Sequence, residues 1–236
     1  MIIICGDLHA NFWAVNKLIA KKSKISTIIQ CGDFGYFPKE HKKTYLDNIG
    51  RIKTFDQYKL KNKDIPIYWC DGNHEDHDSL EKLENNEIMR NVFYQKRGSS
   101  ITIPDSRTIL FIGGADSIDK KYRTAGHNWF PQEIISEKDL YNLPDINIDI
   151  IISHTCPEEF DVLKGEKTSF SSLKYAKYKD PSRERLSYVL NKYNPSLWYF
   201  GHFHIFKTGF DKNCKWNSLS GVGLGKWWVK LEDKIK

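Results

Sequence analysis

No apolar run in this 236-residue chain approaches the roughly 20 residues that a membrane-spanning helix needs. Met1-Ile2-Ile3-Ile4 is apolar, but no basic region precedes it and Gly6-Asp7 follows too soon for a signal peptide. A cytoplasmic protein without membrane contact is therefore expected. Cysteine is scarce and badly spaced for bridges or ribbons: Cys5, Cys31, Cys70, Cys156 and Cys214 are an odd set with no C-x-x-C pair. That excludes a disulfide framework and a zinc ribbon, leaving buried thiols as the expectation. Internal repeats, low-complexity tracts and Pro/Ser-rich linkers are also missing, which excludes a solenoid and gives no place to cut the chain. A single domain over 1–236 is the expectation. Disorder is excluded as well, because 40% of the residues are hydrophobic and can form a sizeable core.

What is present is an alternation of short strands and helices. Residues 2–5, 27–31 and 65–70 are apolar runs rich in β-branched or aromatic side chains, each ending at Gly or Asp-Gly, as buried sheet strands do. Between them, Trp13, Ala14, Leu18 and Ile19 have helical spacing behind a possible Asn11 N-cap. Tyr45, Leu46, Ile49, Ile52 and Phe55 suggest a second helix. Later strands are expected at 101–103, 107–112, 148–153, 197–201, 206–210, 216–219 and 227–231. Several follow one another too closely for crossover helices, so the sheets must be mixed. Pro181 near a first turn and Pro195 beyond a last one bound a helix over 181–193.

Five polar clusters sit at the ends of these strands. Asp7 and His9 follow the first strand, and residues two apart at a strand end can point into one cleft. Asp33 follows the second between Gly32 and Gly35, where the backbone can turn sharply. With two oxygens, its carboxylate can serve two ions. Asn73 and His74, in Gly72-Asn73-His74-Glu75, add a neutral oxygen and an imidazole, while His154, His202 and His204 close the set. A lone Asp-x-His is weak evidence, since a capped turn or a satisfied histidine explains it equally well. Five such clusters in order are not explained that way.

On these motifs the sequence resembles the calcineurin-like metallophosphoesterases, whose signatures read GD-x-H, GD, GNH(D/E), H and GH-x-H; the likeness runs from Gly6 to His204. The resemblance implies an α/β fold with mixed sheets layered as a β-sandwich flanked by helices. It also implies that Asp7, His9 and His204 hold one ion, that Asn73, His154 and His202 hold another, and that Asp33 bridges them. His74 matches the acid that protonates the leaving oxygen, and Asp76 or His77 could tune it only by approaching closely. Two divalent ions roughly 3.5–4 Å apart acidify a bridging water to hydroxide and neutralise the phosphoryl oxygens during in-line displacement. The mixture of carboxylate, amide and imidazole ligands favours manganese, with iron or zinc as alternatives.

Departures from the family pattern narrow the substrate. Protein phosphatases continue the second motif as GD-x-x-DRG, whereas Asp33 is followed here by Phe34-Gly35-Tyr36-Phe37, with no arginine to grip phosphate. The capping region of the DNA-repair nucleases has no counterpart after His204 in this sequence. The small bacterial and phage members are the closer likeness, so the expected substrate is a phosphodiester or nucleotide, cyclic nucleotides included. Monoester hydrolysis, protein phosphatase activity and a non-catalytic binding scaffold are the alternatives. The polar segment 116–130 offers Arg123 as a substitute phosphate clamp and Trp129 as a stacking platform, with His127 beside them. An ordinary surface loop accounts for the segment equally well, and surface or capping roles are expected for His41 and His77. Finally, Lys164, Lys167, Lys174, Lys177, Lys179, Arg183, Arg185 and Lys192 outnumber Glu166, Asp180 and Glu184 over 164–192, with Tyr175, Tyr178 and Tyr188 interleaved. This stretch is a possible RNA contact, or simply a solvated helical face.

Overall fold

The computed structural model describes residues 1–22, 24–38, 43–46, 52–55, 60–61, 64–166 and 178–233. Two six-stranded sheets dominate it. In the first, β1 (Ile2–Cys5), β2 (Thr27–Gln30), β5 (Ile67–Trp69) and β7 (Val92–Tyr94) run parallel. Antiparallel β14 (Trp228–Lys230) and β6 (Glu87–Met89) form its edges. The second sheet repeats the plan. Its parallel strands are β9 (Thr108–Ile112), β10 (Ile150–Ser153), β11 (Leu197–Phe200) and β13 (Cys214–Ser218), with antiparallel β8 (Ser100–Thr102) and β12 (Lys207–Asp211) outside.

Alternation along each strand builds the layers, because successive side chains leave opposite faces. In β1, Ile4 joins Ile29, Phe111, Ile152 and Tyr199 between the two sheets. Its neighbours Ile3 and Cys5 face the other way, onto Phe12, Val15 and Leu18 of helix α1 (Phe12–Lys21). In the second sheet, Leu110, Ile151 and Trp198 turn outward onto Leu186, Val189 and Leu190 of α4 (Pro181–Tyr193). The order of layers is thus helix, sheet, sheet, helix, completed by the short helices α2 (His77–Glu81) and α3 (Glu137–Tyr141). All five cysteines are buried free thiols, as expected. Among the described residues no helix is long and apolar enough to cross a membrane.

Several expectations need correction. Residues 45–55 do not form a helix where they are described: β3 (Lys43–Leu46) and β4 (Ile52–Phe55) pair antiparallel, with Tyr45 opposite Lys53. Apolar positions at 45, 46, 49, 52 and 55 fit a helical stripe, but the β-branched and aromatic residues within the segment suit strands better. β6 and β7 were not anticipated; each has only three residues, and they are joined by a turn in which Asn91 adopts φ +60°. Asn11 precedes α1 but makes no side-chain cap hydrogen bond. Trp13 faces outward, under the Lys17 ammonium at 3.5 Å. His41 and residues 167–177 of the basic stretch lie outside the described residues.

Candidate metal centre

Every anticipated ligand lies just beyond the carboxyl end of a parallel strand, the end at which open α/β sheets present their ligand sites. Asp7 follows β1, Asp33 follows β2, Asn73 follows β5, His154 follows β10 and His202 follows β11. The two sheets therefore deliver their loops to one place. Three groups of donors each lie within 4.8 Å of one another: Asp7, His9 and His204; His9, Asp33 and His74; and Asp7, Asp33 and His154. Asn73 joins through its Oδ1, which is 3.0 Å from His154 Nε2 and 3.1 Å from His202 Nδ1.

Neighbouring groups aim these donors. The Nδ1–H of His154 donates to the Cys31 carbonyl at 2.9 Å, which turns Nε2 toward the centre. Asn73 Nδ2 donates to Ser117 Oγ at 3.0 Å, which fixes the amide so that Oδ1 faces inward. The backbone N–H of His202 donates to the Asp7 carboxylate, and that of His74 to Asp33 Oδ1 at 2.8 Å. Glycine makes the close approach possible: a Cβ on Gly72 would fall on the Asp33 carboxylate, and one on Gly201 on that of Asp7. His9, Asp33, His202 and His204 all have positive φ, between 46° and 65°. Such left-handed backbone costs about 1–3 kcal/mol per non-glycine residue and persists where surrounding contacts over-determine it. Here Leu8 and His9 both donate their N–H to the Asp33 carbonyl, and Ala10 to that of Phe34.

The electrostatics suit cations. Burial alone would raise the Asp33 carboxyl, but His154, His74 and His9 outweigh it and hold Asp33 well below the usual carboxylate range. Burial would lower His154, but Asp33 and Asp7 push it up to about 10. Burial and then the neighbouring His154 charge push His202 down to about 3, so the ring stays neutral and keeps one nitrogen lone pair. His9 Nε2 and His204 Nε2 face each other at 3.3 Å, with His204 2.8 Å from Asp7 Oδ2. With the His154 Nε2 proton displaced by a cation, the inward-facing nitrogens and oxygens at these separations match the edges of a first-row metal's coordination shell. The donor set fits two divalent ions.

Of the residues expected beside the metals, Arg123 is placed in the site. Its Nη2 lies 2.7 Å from His74 Nε2 and 2.8 Å from Asp119 Oδ1, and its Nη1 donates to the Asn73 carbonyl at 3.1 Å. Trp129 is half-buried and gives its indole N–H to Glu133 Oε1, and His127 is exposed. Asp76 caps α2 through Ser79, while His77 is buried with its Nε2 3.0 Å from the Gly72 carbonyl, so the expectation of a surface His77 is not met. The group seen against His74 Nε2 is Arg123.

Other site residues escaped sequence reasoning. Glu75 accepts from Phe34 N–H at 2.7 Å and Gly35 N–H at 3.3 Å, tying the third loop to the second. Asp71 receives a fork from Arg97 Nε and Nη2 and a bond from Tyr94 Oη, and Arg97 continues to the Gln132, Glu133 and Ile134 carbonyls and to Asp139. Glu75 stood in the GNH(D/E) signature with no role assigned to it, and for Asp71 position near a ligand was the only available signal. Within the basic stretch, Arg183 is turned inward onto the carbonyls of Cys156, Pro157 and Phe160, and Tyr178 onto Asp116.

A family model described as calcineurin-like phosphoesterase matches residues 1–206. No curated protein sequence matches the chain. Among solved structures, phosphopantetheinyl hydrolase from Mycobacterium tuberculosis aligns with a TM-score of 0.50 at 13% identity, covering 98% of this chain and 96% of that one. The anchor in the inner membrane complex of Plasmodium aligns with a TM-score of 0.44 at 11% identity, covering 92% and 70%.

Proposed function

This chain belongs to the calcineurin-like phosphoesterase family and is a metal-dependent phosphoester hydrolase, and from that premise we propose that it cleaves phosphodiesters or nucleotides, cyclic nucleotides among them. In this reading Asp7, His9 and His204 hold one divalent ion, Asn73, His154 and His202 hold the second, and Asp33 serves both. One observation carries the assignment. Asp33 Oδ2 faces His9 Nε2 at 3.6 Å and Asp33 Oδ1 faces His154 Nε2 at 3.3 Å, so one carboxylate addresses both donor sets. When bound, the ions supply Lewis-acid charge to the phosphoryl oxygens and acidify water for attack. Oxygen and imidazole donors without thiolate favour manganese, then iron or zinc.

The chain's own groups do the rest. Arg123, 8% exposed and donor-only, faces His74 Nε2, so that nitrogen accepts in this arrangement. An incoming phosphate offers Arg123 better acceptors than an imidazole. Its transfer to the phosphate frees His74 Nε2 to take up a proton from water, and the imidazolium so formed gives that proton to the leaving oxygen. A single guanidinium already paired with Asp119 suits the one negative charge of a diester better than a monoester dianion. That supports diesters as the first choice and monoesters as the second. The test is metal content and turnover of Asp33→Asn. The expected result is loss of bound metal together with turnover; a variant retaining both ions and normal turnover contradicts the assignment.

A further inference from the structure

Away from the metal centre, the edge strands β14 and β12 of the two sheets, with β13 beside β12, line a groove of about 570 Å³. None of the seven metal ligands lines it. Phe206, Thr208, Lys215, Asn217, Lys226 and Trp228 do, along with Lys230 and Glu232. Three lysines therefore meet one carboxylate. Lys215 is paired to Glu232 at 2.7 Å and Lys230 to Asp233 at 3.3 Å, whereas the exposed Lys226 lies 4.2 Å from the centre of the Phe206 ring. Aromatic surface is exposed here: Phe206, just before β12, is 39% exposed and Phe210, on the Thr208 face of β12, is 70% exposed. Asn217 stands opposite Thr208 across the hairpin and is 3% exposed, and among the described residues its Nδ2 has no hydrogen-bond partner. A buried amide donor without an acceptor is destabilising unless something else supplies one.

The geometry points to a binding site for a nucleoside phosphate in this groove, with the phosphate between Lys226 and the Asn217 amide and the base against Phe206 and Trp228. Cations beside aromatic faces are what bind nucleotides and single strands without reading sequence, and the volume falls in the range of small-molecule sites. The assignment depends on no particular reaction at the metals. The groove is nevertheless joined to that centre. Phe206 is two residues beyond His204, and Ser220 links the two places: its Oγ donates to the His204 carbonyl at 2.9 Å and its N–H to the Lys226 carbonyl at 3.2 Å. A free nucleotide and one unit of a single strand share the required chemistry.

The experiment is amide and indole NMR of the full chain, titrated with a phosphonate analogue of AMP, a short phosphorothioate oligoadenylate, and inorganic phosphate. Wild type is compared with Lys226→Glu, whose unchanged resonances away from the groove report an intact fold. The expected result is a shift of the Trp228 indole N–H and the Thr208 and Lys226 amides, with affinity lowered about ten-fold in Lys226→Glu. Binding of the analogue identifies the free nucleotide as the ligand, and binding of the oligoadenylate alone identifies a single strand; either supports the site. Absence of groove shifts with both, equal affinity in Lys226→Glu, or shifts from inorganic phosphate that match those of the analogue would overturn it.

Discussion

Arg123 shows how much of the chemistry rests on single side chains. It touches His74, Asp119 and the Asn73 carbonyl at once, so it contacts both the proposed acid and the loop of a proposed metal ligand. Removing it leaves Asn73 held by Ser117, which predicts a selective defect. Arg123→Ala should raise KM for a diester by about ten-fold, the scale of one lost charge-assisted contact, with metal content unchanged. Steady-state kinetics check this, and an unaltered KM would return Arg123 to a structural role. Glu133 makes a different kind of prediction. Burial raises its carboxyl from the ordinary 4.5 to about 7, against the opposing bonds from Ser117 and the charge of Arg123. The folded state thus keeps a proton that the unfolded chain gives up. Its contribution to stability is full below about pH 4.5 and declines as pH rises to about 7. Glu133→Gln retains an acceptor for Ser117 and Trp129 without the charge. Denaturation at pH 5 and pH 8 should show a shallower loss for the variant, by on the order of 2 kcal/mol; parallel losses would contradict it.

At the scale of elements, strand ends decide the site. Gly72 lets the β5 loop lie against the Asp33 carboxylate, and an added Cβ must displace that carboxylate or the loop. Gly72→Ala should therefore reduce turnover by about a hundred-fold, the usual consequence of misplacing groups by an ångström, and lower metal content while circular dichroism stays native-like. Wild-type turnover in this variant would show that the loop has room the structure denies it. The same elements explain what the sequence could reveal. β1, β2, β10 and β11 were legible because strands buried on both faces read as continuous apolar runs, and the Asp and His residues after them stood out against them. β3 and β4 were misread because the same apolar spacing satisfies a helical stripe. The left-handed backbone at His9, Asp33, His202 and His204 had no local signature, being imposed by hydrogen bonds between distant loops. Ser117 and Arg97 were invisible for the same reason: their partners lie 44 and 26 residues away.

For the whole molecule, two sheets of the same plan stand face to face, and each contributes strand-end loops to one centre. Asp7, Asp33 and Asn73 come from the first, His154 and the His202–His204 loop from the second. In the proposed assignment neither ion draws its ligands from one sheet alone, so the inter-sheet core around Ile4, Ile29, Phe111, Ile152 and Tyr199 is also what brings the two halves of the site into register. The measurement that tests the account most directly is turnover by the purified chain loaded with manganese or with magnesium, assayed side by side on a generic phosphodiester, a generic monoester and a panel of cyclic nucleotides. The account predicts hydrolysis that requires metal, is fastest with manganese and favours diesters over the monoester. Two bound ions with no hydrolysis of any of these esters, or a clear preference for the monoester, would contradict it.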